Sequence, residues 1–291
     1  MANDDVEKSP LIYGGRIPGD AAPFGAVRIT TGETALKAAA TFWFVVTAIG
    51  QWIFVVYIVA FYGGAVVHGD MGRWGKFLTH GLIPGDHIGN LALALHLSLA
   101  AVITAGGPLQ LIPQIRARAP AFHRWTGRAY LVTALVTSIS ALYLVWIRNA
   151  HTGSVVQSLG ISLDAALIMT CGAMALRHAL GRRFGAHRRW AIRLFLVVSG
   201  VWFFRVGLFF SLIVNQGPFG FNDDTFEGPF LDFLSFAESL IPLAIFELYL
   251  RTQVRAGVTG RIAMAAGLIF LTVATGIGVF GAFMNIWLPN I

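Results

Sequence analysis

The chain has 291 residues, of which 56% are hydrophobic and only 12% are charged. Soluble domains carry about 25% charged residues, so this composition excludes an ordinary water-soluble fold and predicts an integral membrane protein. The formal net charge of +7 would suit nucleic acid, but the arginines cluster in short loops between apolar segments, as in membrane proteins. We therefore expect membrane lipids, and no nucleic acid, as partners.

Seven apolar segments are each long enough for the ~20 residues that a transmembrane helix needs. The predicted spans are residues 39–65, 90–112, 129–148, 157–177, 190–214, 229–250 and 262–288. The fold class is therefore all-α, a polytopic transmembrane helical bundle. We predict a cytoplasmic N-terminal arm over residues 1–38 and a single transmembrane domain over residues 39–291.

The charge of the loops alternates along the chain. Arginines concentrate in residues 114–128, 177–193 and 251–261, whereas residues 215–229 hold three acidic residues and no basic one. The positive-inside rule then places the N-terminus inside and the C-terminus outside, in what we expect to be a bacterial cytoplasmic (inner) membrane. A retinal-binding protein of the rhodopsin type is excluded, because the last lysine is Lys76 and the seventh span has none.

Two basic segments of the chain are similar to each other. Residues 118–130 and 182–194 each contain a histidine, His123 or His187, that is followed by arginine, tryptophan and a further arginine. This repeat predicts that spans 2–3 and 4–5 are related hairpins, which together form a four-helix core. The alternative is that any basic, aromatic interface loop has this composition.

These segments also carry a resemblance to a known family. A histidine in the second span, the run from His123 to Tyr130 (HRWTGRAY), the run from His187 to Arg193 (HRRWAIR) and the later Arg205 are similar to the bacterial membrane proteins called domain of unknown function 2306. The resemblance extends over roughly residues 50–255. It implies a multi-pass membrane fold and the importance of these positions, and it implies no activity.

Four ionisable residues from four different spans lie at a similar depth, namely His96, Asp164, Arg205 and Glu238. At ~1.5 Å of rise per residue, each lies roughly 9 to 13 Å from the outer end of its span. Such groups normally face the bundle interior, so we predict an outer-leaflet polar pocket in which Arg205 binds an anionic group and Asp164 or Glu238 relays a proton. The alternative is a structural network in which Arg205 forms an ion pair with Asp164 or Glu238.

The histidines suggest possible cofactors. His96 beside Arg205 would suit haem b or quinone, and His123 with His187 could ligate a haem from facing helices. For that second pair, anchoring at the membrane interface is the alternative. The outer-loop histidines form no tight ligand pattern, so we predict no metal site there, although His68 or His151 could ligate haem opposite His96. The outer-loop histidines are His68, His80, His87 and His151.

Three functions remain open from the sequence, which does not decide whether the protein is an enzyme. The first is membrane electron transfer through haem b or quinone, with a respiratory or other membrane complex as the partner. The second is proton-coupled transport or sensing of a small anionic molecule that binds Arg205. The third is a non-catalytic accessory subunit of a larger membrane complex, in which the polar layer is only structural.

Overall fold

The computed structural model describes residues 31–78, 81–149 and 153–291, and this part of the chain is built from helices and turns. The helices are α1 (Thr31–Ile58), α2 (Gly64–His68), α3 (His87–Leu111), α4 (Pro113–Arg118), α5 (Pro120–Trp146), α6 (Val155–Leu180), α7 (Phe184–Val198), α8 (Gly200–Val214), α9 (Pro229–Arg255) and α10 (Val258–Ala282). The π-helical turns Val59–Gly63 and Phe283–Trp287 continue α1 and α10. Two of the outer-loop histidines, His80 and His151, and most of the predicted N-terminal arm lie outside the described residues.

The long helices are apolar enough to cross a membrane. Six of them in the described chain meet this criterion, and α7 with α8, bent by 53°, adds a seventh if the pair is counted as one broken span. This confirms the predicted fold class, a polytopic transmembrane helical bundle. Which side of the membrane each end faces stays a prediction.

The helices extend further than the predicted spans at the end of the bundle that carries the arginine-rich loops, which we call the basic end. α5 starts at Pro120 rather than at residue 129, and α9 continues to Arg255 rather than to residue 250. Proline favours the first position of a helix, because its missing N–H would have no helical partner there. Arginine side chains reach the aqueous interface from helix ends, so polar residues do not stop these helices.

The predicted core of spans 2–5 packs in chain order, with α3 against α5, α5 against α6, and α6 against α7. α3 also contacts α7, while α1 packs along α10 and α8 packs between α9 and α10. The largest buried cluster joins Phe54 and Tyr57 of α1 to Trp202 of α8 and to Trp287 after α10. The first and last spans therefore share the interior with the four-helix core.

Candidate functional site

The fifth span is broken in its middle, where Ser199 separates α7 from α8. The Ser199 hydroxyl donates to the carbonyl of Phe195 at 2.7 Å, so a side chain competes there for a backbone acceptor. Sharp helix kinks are common at serine and glycine pairs, and Gly200 follows directly. The sequence predicted one continuous helix over residues 190–214, so this break is a correction, and the Ser199-Gly200 pair is the signal that was missed.

The carboxylate of Asp164 lies against this break. A Cβ atom on Gly200 would lie 3.1 Å from Oδ2 of Asp164, so the glycine permits a close approach of α6 to α8. The Ser239 hydroxyl of α9 donates to Oδ1 of the same carboxylate. Three helices therefore meet at Asp164.

Glu238 is buried, with only 7% of its surface exposed, and it interacts electrostatically with both Asp164 and Arg205. Its carboxylate has no hydrogen bond and no ion pair with any residue in the described ranges. Pro242 follows one turn later and has no N–H, so the backbone carbonyl of Glu238 also lacks its usual helical donor. This position therefore presents a carboxylate and a backbone carbonyl that lacks its usual helical donor.

Arg205 is half-buried in α8. Its Nη1 donates to the carbonyl of Val201 at 3.0 Å, and its guanidinium carbon lies 5.2 Å from the centre of the Phe54 ring. Tyr57 and Tyr62 are also within electrostatic range. No carboxylate among the described residues is at ion-pair distance from Arg205, so no anion of the described chain pairs with its charge directly.

His96 is the fourth member of the predicted layer. Its Nδ1 lies 3.1 Å from the Ser140 hydroxyl and 3.3 Å from the Thr137 carbonyl, both on α5. The ring is within electrostatic range of Arg205. Electrostatic interactions therefore link the four predicted residues in one series, from Asp164 to Glu238, from Glu238 to Arg205 and from Arg205 to His96.

The structure adds a polar group on the α1 side of the break that the sequence reading missed. Gln51 donates from Nε2 to the Ser199 hydroxyl at 2.8 Å. Gln51 Oε1, Thr47 Oγ1 and Trp202 Nε1 are buried and have no hydrogen-bond partner within the described ranges. Buried polar atoms are normally bonded to protein or to ordered water, so this corner suits bound water. A glutamine in the middle of an apolar span was the available signal.

His123 and His187 occupy equivalent positions at the basic end. The backbone N–H of His123 donates to Ala119 at 3.0 Å, and that of His187 donates to Arg183 at 2.9 Å. Ala119 and Arg183 are the residues that precede α5 and α7, so each histidine is the fourth residue of its helix. The local geometry of the two segments therefore repeats, as their sequences do.

The tryptophans of the repeat behave alike as well. The guanidinium carbon of Arg128 lies 4.9 Å from the Trp125 ring centre, and that of Arg193 lies 4.7 Å from the Trp190 ring centre. Arg193 also donates from Nε to Glu247 of α9 at 2.7 Å. The Arg193–Glu247 contact therefore links the second copy of the repeat to α9. The two tryptophans, each stacked against an arginine, suit a membrane interface.

The two histidines of the repeat are within electrostatic range of each other, and His178 is within range of His187. Nδ1 of His187 lies 2.9 Å from the Ala175 carbonyl, whereas Nδ1 of His123 is buried without a partner in the described chain. His68 lies apart, with its Nδ1 2.8 Å from the Gly64 carbonyl. In the described ranges no three histidine, cysteine, aspartate or glutamate residues are placed to hold a metal ion.

Residues 93–223 match the family model described as Predicted membrane protein (DUF2306). The predicted family resemblance is confirmed. The matched segment contains His96, Asp164 and Arg205 of the polar layer and both histidines of the repeat, while Glu238 lies beyond it. No curated protein and no solved structure matches the chain.

Proposed function

We propose that the protein is a proton-coupled transporter or sensor of a small anionic molecule, and that Arg205 is its anion-binding residue. The observation that carries the proposal is the half-buried guanidinium of Arg205, which has no carboxylate at ion-pair distance within the described residues. A cation at membrane depth is costly unless an anion compensates it. A bound anion at Arg205 would supply that compensation directly.

The broken span supports this function. Transporters commonly place their substrate and ion sites where a membrane helix is discontinuous, because the interrupted turns expose backbone groups that ions can bind. Here the break at Ser199 lies within two helical turns of Arg205 and against the carboxylate of Asp164. The N-terminus of α8 also carries the positive end of the helix dipole.

Asp164 and Glu238 are the proposed proton carriers. They interact electrostatically with each other, and two carboxylates repel at short range in a membrane interior when both are charged. Binding one proton removes that repulsion. Binding an anion at Arg205 withdraws the positive charge that stabilises Glu238 as an anion, so anion and proton binding favour each other.

A second candidate is membrane electron transfer through haem b or quinone, in a bacterial inner membrane and with a respiratory or other membrane complex as the partner. Two histidines favour it, because the Nδ1 atoms of His96 and His187 each face a backbone carbonyl. That hydrogen bond orients a histidine so that Nε2 is free to ligate iron. When bound, a haem would supply one-electron transfer, and Arg205 could bind a propionate near His96.

Anion binding can be tested on the detergent-purified protein with malate as the probe. The rate at which a thiol-reactive dye labels the buried Cys171 reports thermal unfolding. We expect malate to raise the unfolding temperature of the wild type, and to do so more at pH 6.5 than at pH 8.0. Malate carboxylates are ionised at both values, so the difference reports proton binding by the protein.

Two variants at one position make this experiment specific. Arg205→Lys keeps a cation and should retain part of the malate effect, whereas Arg205→Gln should lose it. A malate effect of equal size in wild type and Arg205→Gln would contradict the proposal. A haem absorption band in the purified protein that weakens in His96→Ala would favour the second candidate instead.

A further inference from the structure

A cleft separates two helices that the chain joins by only two residues. α9 and α10 are linked by Ala256 and Gly257, yet a cavity of about 370 Å³ lies between them. Its lining is apolar, with Leu248 and Met264 among the contributors, apart from one hydroxyl at Thr252. The helices are therefore spread apart by space that an apolar group can fill.

The α10 wall of this cleft consists largely of small residues. Gly260, Ala263 and Gly267 line it, and a Cβ atom on Gly267 would meet no atom within 4 Å. The cleft therefore has open space beside Gly267. A flexible hydrocarbon chain is the kind of group that fits a long, shallow and apolar channel of this shape.

Helical spacing places a cation just beyond the lining residues of α9, at the basic end of the cleft. The lining residues of α9 are Ile245, Leu248 and Thr252, whose spacing of three and four residues defines one face of the helix. The next position on that face is Arg255, which is exposed and forms no ion pair with any described residue. Arg251, which is also exposed, lies about one helical turn before Arg255 in α9.

We propose that this cleft binds an anionic phospholipid, with an acyl chain along the apolar channel and the phosphate at Arg255. The site matches this lipid, since the channel is apolar along its length and Arg255 follows on the same helix face at the end where a headgroup would lie. An isoprenoid quinone tail or an apolar helix of another protein would fill the channel but would leave the arginines without an anion. The charge therefore selects the phospholipid.

The experiment is native mass spectrometry of the full chain in detergent, with phosphatidylglycerol or phosphatidylcholine added at equal concentration. We expect the wild type to retain phosphatidylglycerol preferentially. Arg255→Gln should weaken that retention about fivefold and bring it close to that of phosphatidylcholine, because a single arginine near the membrane surface has an effect of that order. Gly267→Leu, which fills the channel, should weaken the retention of both lipids.

Matched controls separate this site from general lipid adhesion. Arg118→Gln removes an exposed arginine at the same end of the bundle, and Gly276→Leu adds the same side chain to α10 where a Cβ atom meets nothing within 4 Å. Both controls should bind phosphatidylglycerol like the wild type. Equal retention of the two lipids by the wild type would overturn the proposal, as would retention by Gly267→Leu at the wild-type level or displacement of bound lipid by a quinone.

Discussion

The close contact of α8 with α10 gives a stability prediction that also bears on the polar layer. A Cβ atom on Gly278 would lie 2.2 Å from the carbonyl oxygen of Val206 and 2.8 Å from its Cγ1 atom. Contacts between carbon and a carbonyl oxygen normally start at about 3.3 Å, so Gly278→Ala must move the two backbones apart by about 1 Å. Because Val206 follows Arg205, that movement also displaces the candidate anion site.

The magnitude can be set against a matched control two residues away. Overpacking of this kind destabilises a protein by about 1–3 kcal/mol. Gly276→Ala places its Cβ atom where nothing lies within 4 Å, so it should gain up to ~1 kcal/mol from helix propensity. Helix propensity acts at both positions, so the two variants should differ by the overpacking alone, about 1–3 kcal/mol in the free energy of unfolding. At ~2 °C per kcal/mol for a large domain, this corresponds to about 2–6 °C in unfolding temperature.

The assay is thermal unfolding of both variants in the same detergent, followed by dye labelling of Cys171, which is the only cysteine and is buried. We expect Gly278→Ala to unfold at the lower temperature and to lose any malate stabilisation. If the two variants unfold at the same temperature, the helices are not packed as closely as the structure has them, and the reasoning fails.

Three further outcomes are expected. The Gly89 N–H and the Arg148 guanidinium donate to Asp86 and lower the pKa of its carboxyl below the usual value of ~4. The stability that these interactions contribute is therefore present at neutral pH and is lost as the pH falls through the lowered pKa. Thermal unfolding between about pH 3 and pH 7 should show this loss in the wild type and not in Asp86→Asn. Glu33→Gln should change the free energy of unfolding by less than ~1 kcal/mol, because the glutamate side chain paired with Arg261 is 41% exposed; a larger loss in urea unfolding would show that the pair is shielded from water. Ser199→Ala should cost about 1–3 kcal/mol by leaving Gln51 Nε2 buried without an acceptor, whereas adding Gln51→Leu should recover most of that loss, and failure to recover it would assign the cost to the backbone break.

The spans were predictable because a run of about twenty apolar residues is typical of a transmembrane helix. The structure places a helix at each predicted segment. The polar layer was predictable for a related reason, since ionisable groups such as Arg205 and Glu238 are rare at membrane depth and must face the interior. In the structure Glu238 interacts electrostatically with Asp164 and Arg205, and the functional grouping of these residues stays a prediction. What they do there stays a proposal.

The helix break could not be derived in the same way. Hydrophobicity alone makes residues 190–214 look continuous, and the Ser199-Gly200 pair is only a weak signal, because glycine is common in membrane helices. The bend depends on partners that are distant in sequence, above all Gln51, which bonds the Ser199 hydroxyl, and Asp164, which packs against Gly200. The start of α5 at Pro120 was missed for another reason, because its basic first turns have the composition of a loop.

Coupled flux of malate and protons into proteoliposomes tests the central claim most directly. Vesicles containing an internal pH dye are given external malate at pH 6.5 with an internal pH of 8.0, and acidification is compared with that of protein-free vesicles. The account predicts malate-dependent acidification that is abolished by Arg205→Gln and that is reduced by Glu238→Gln while some malate uptake remains. Acidification of the same rate in wild type and Arg205→Gln, or malate uptake without any proton movement, would contradict it.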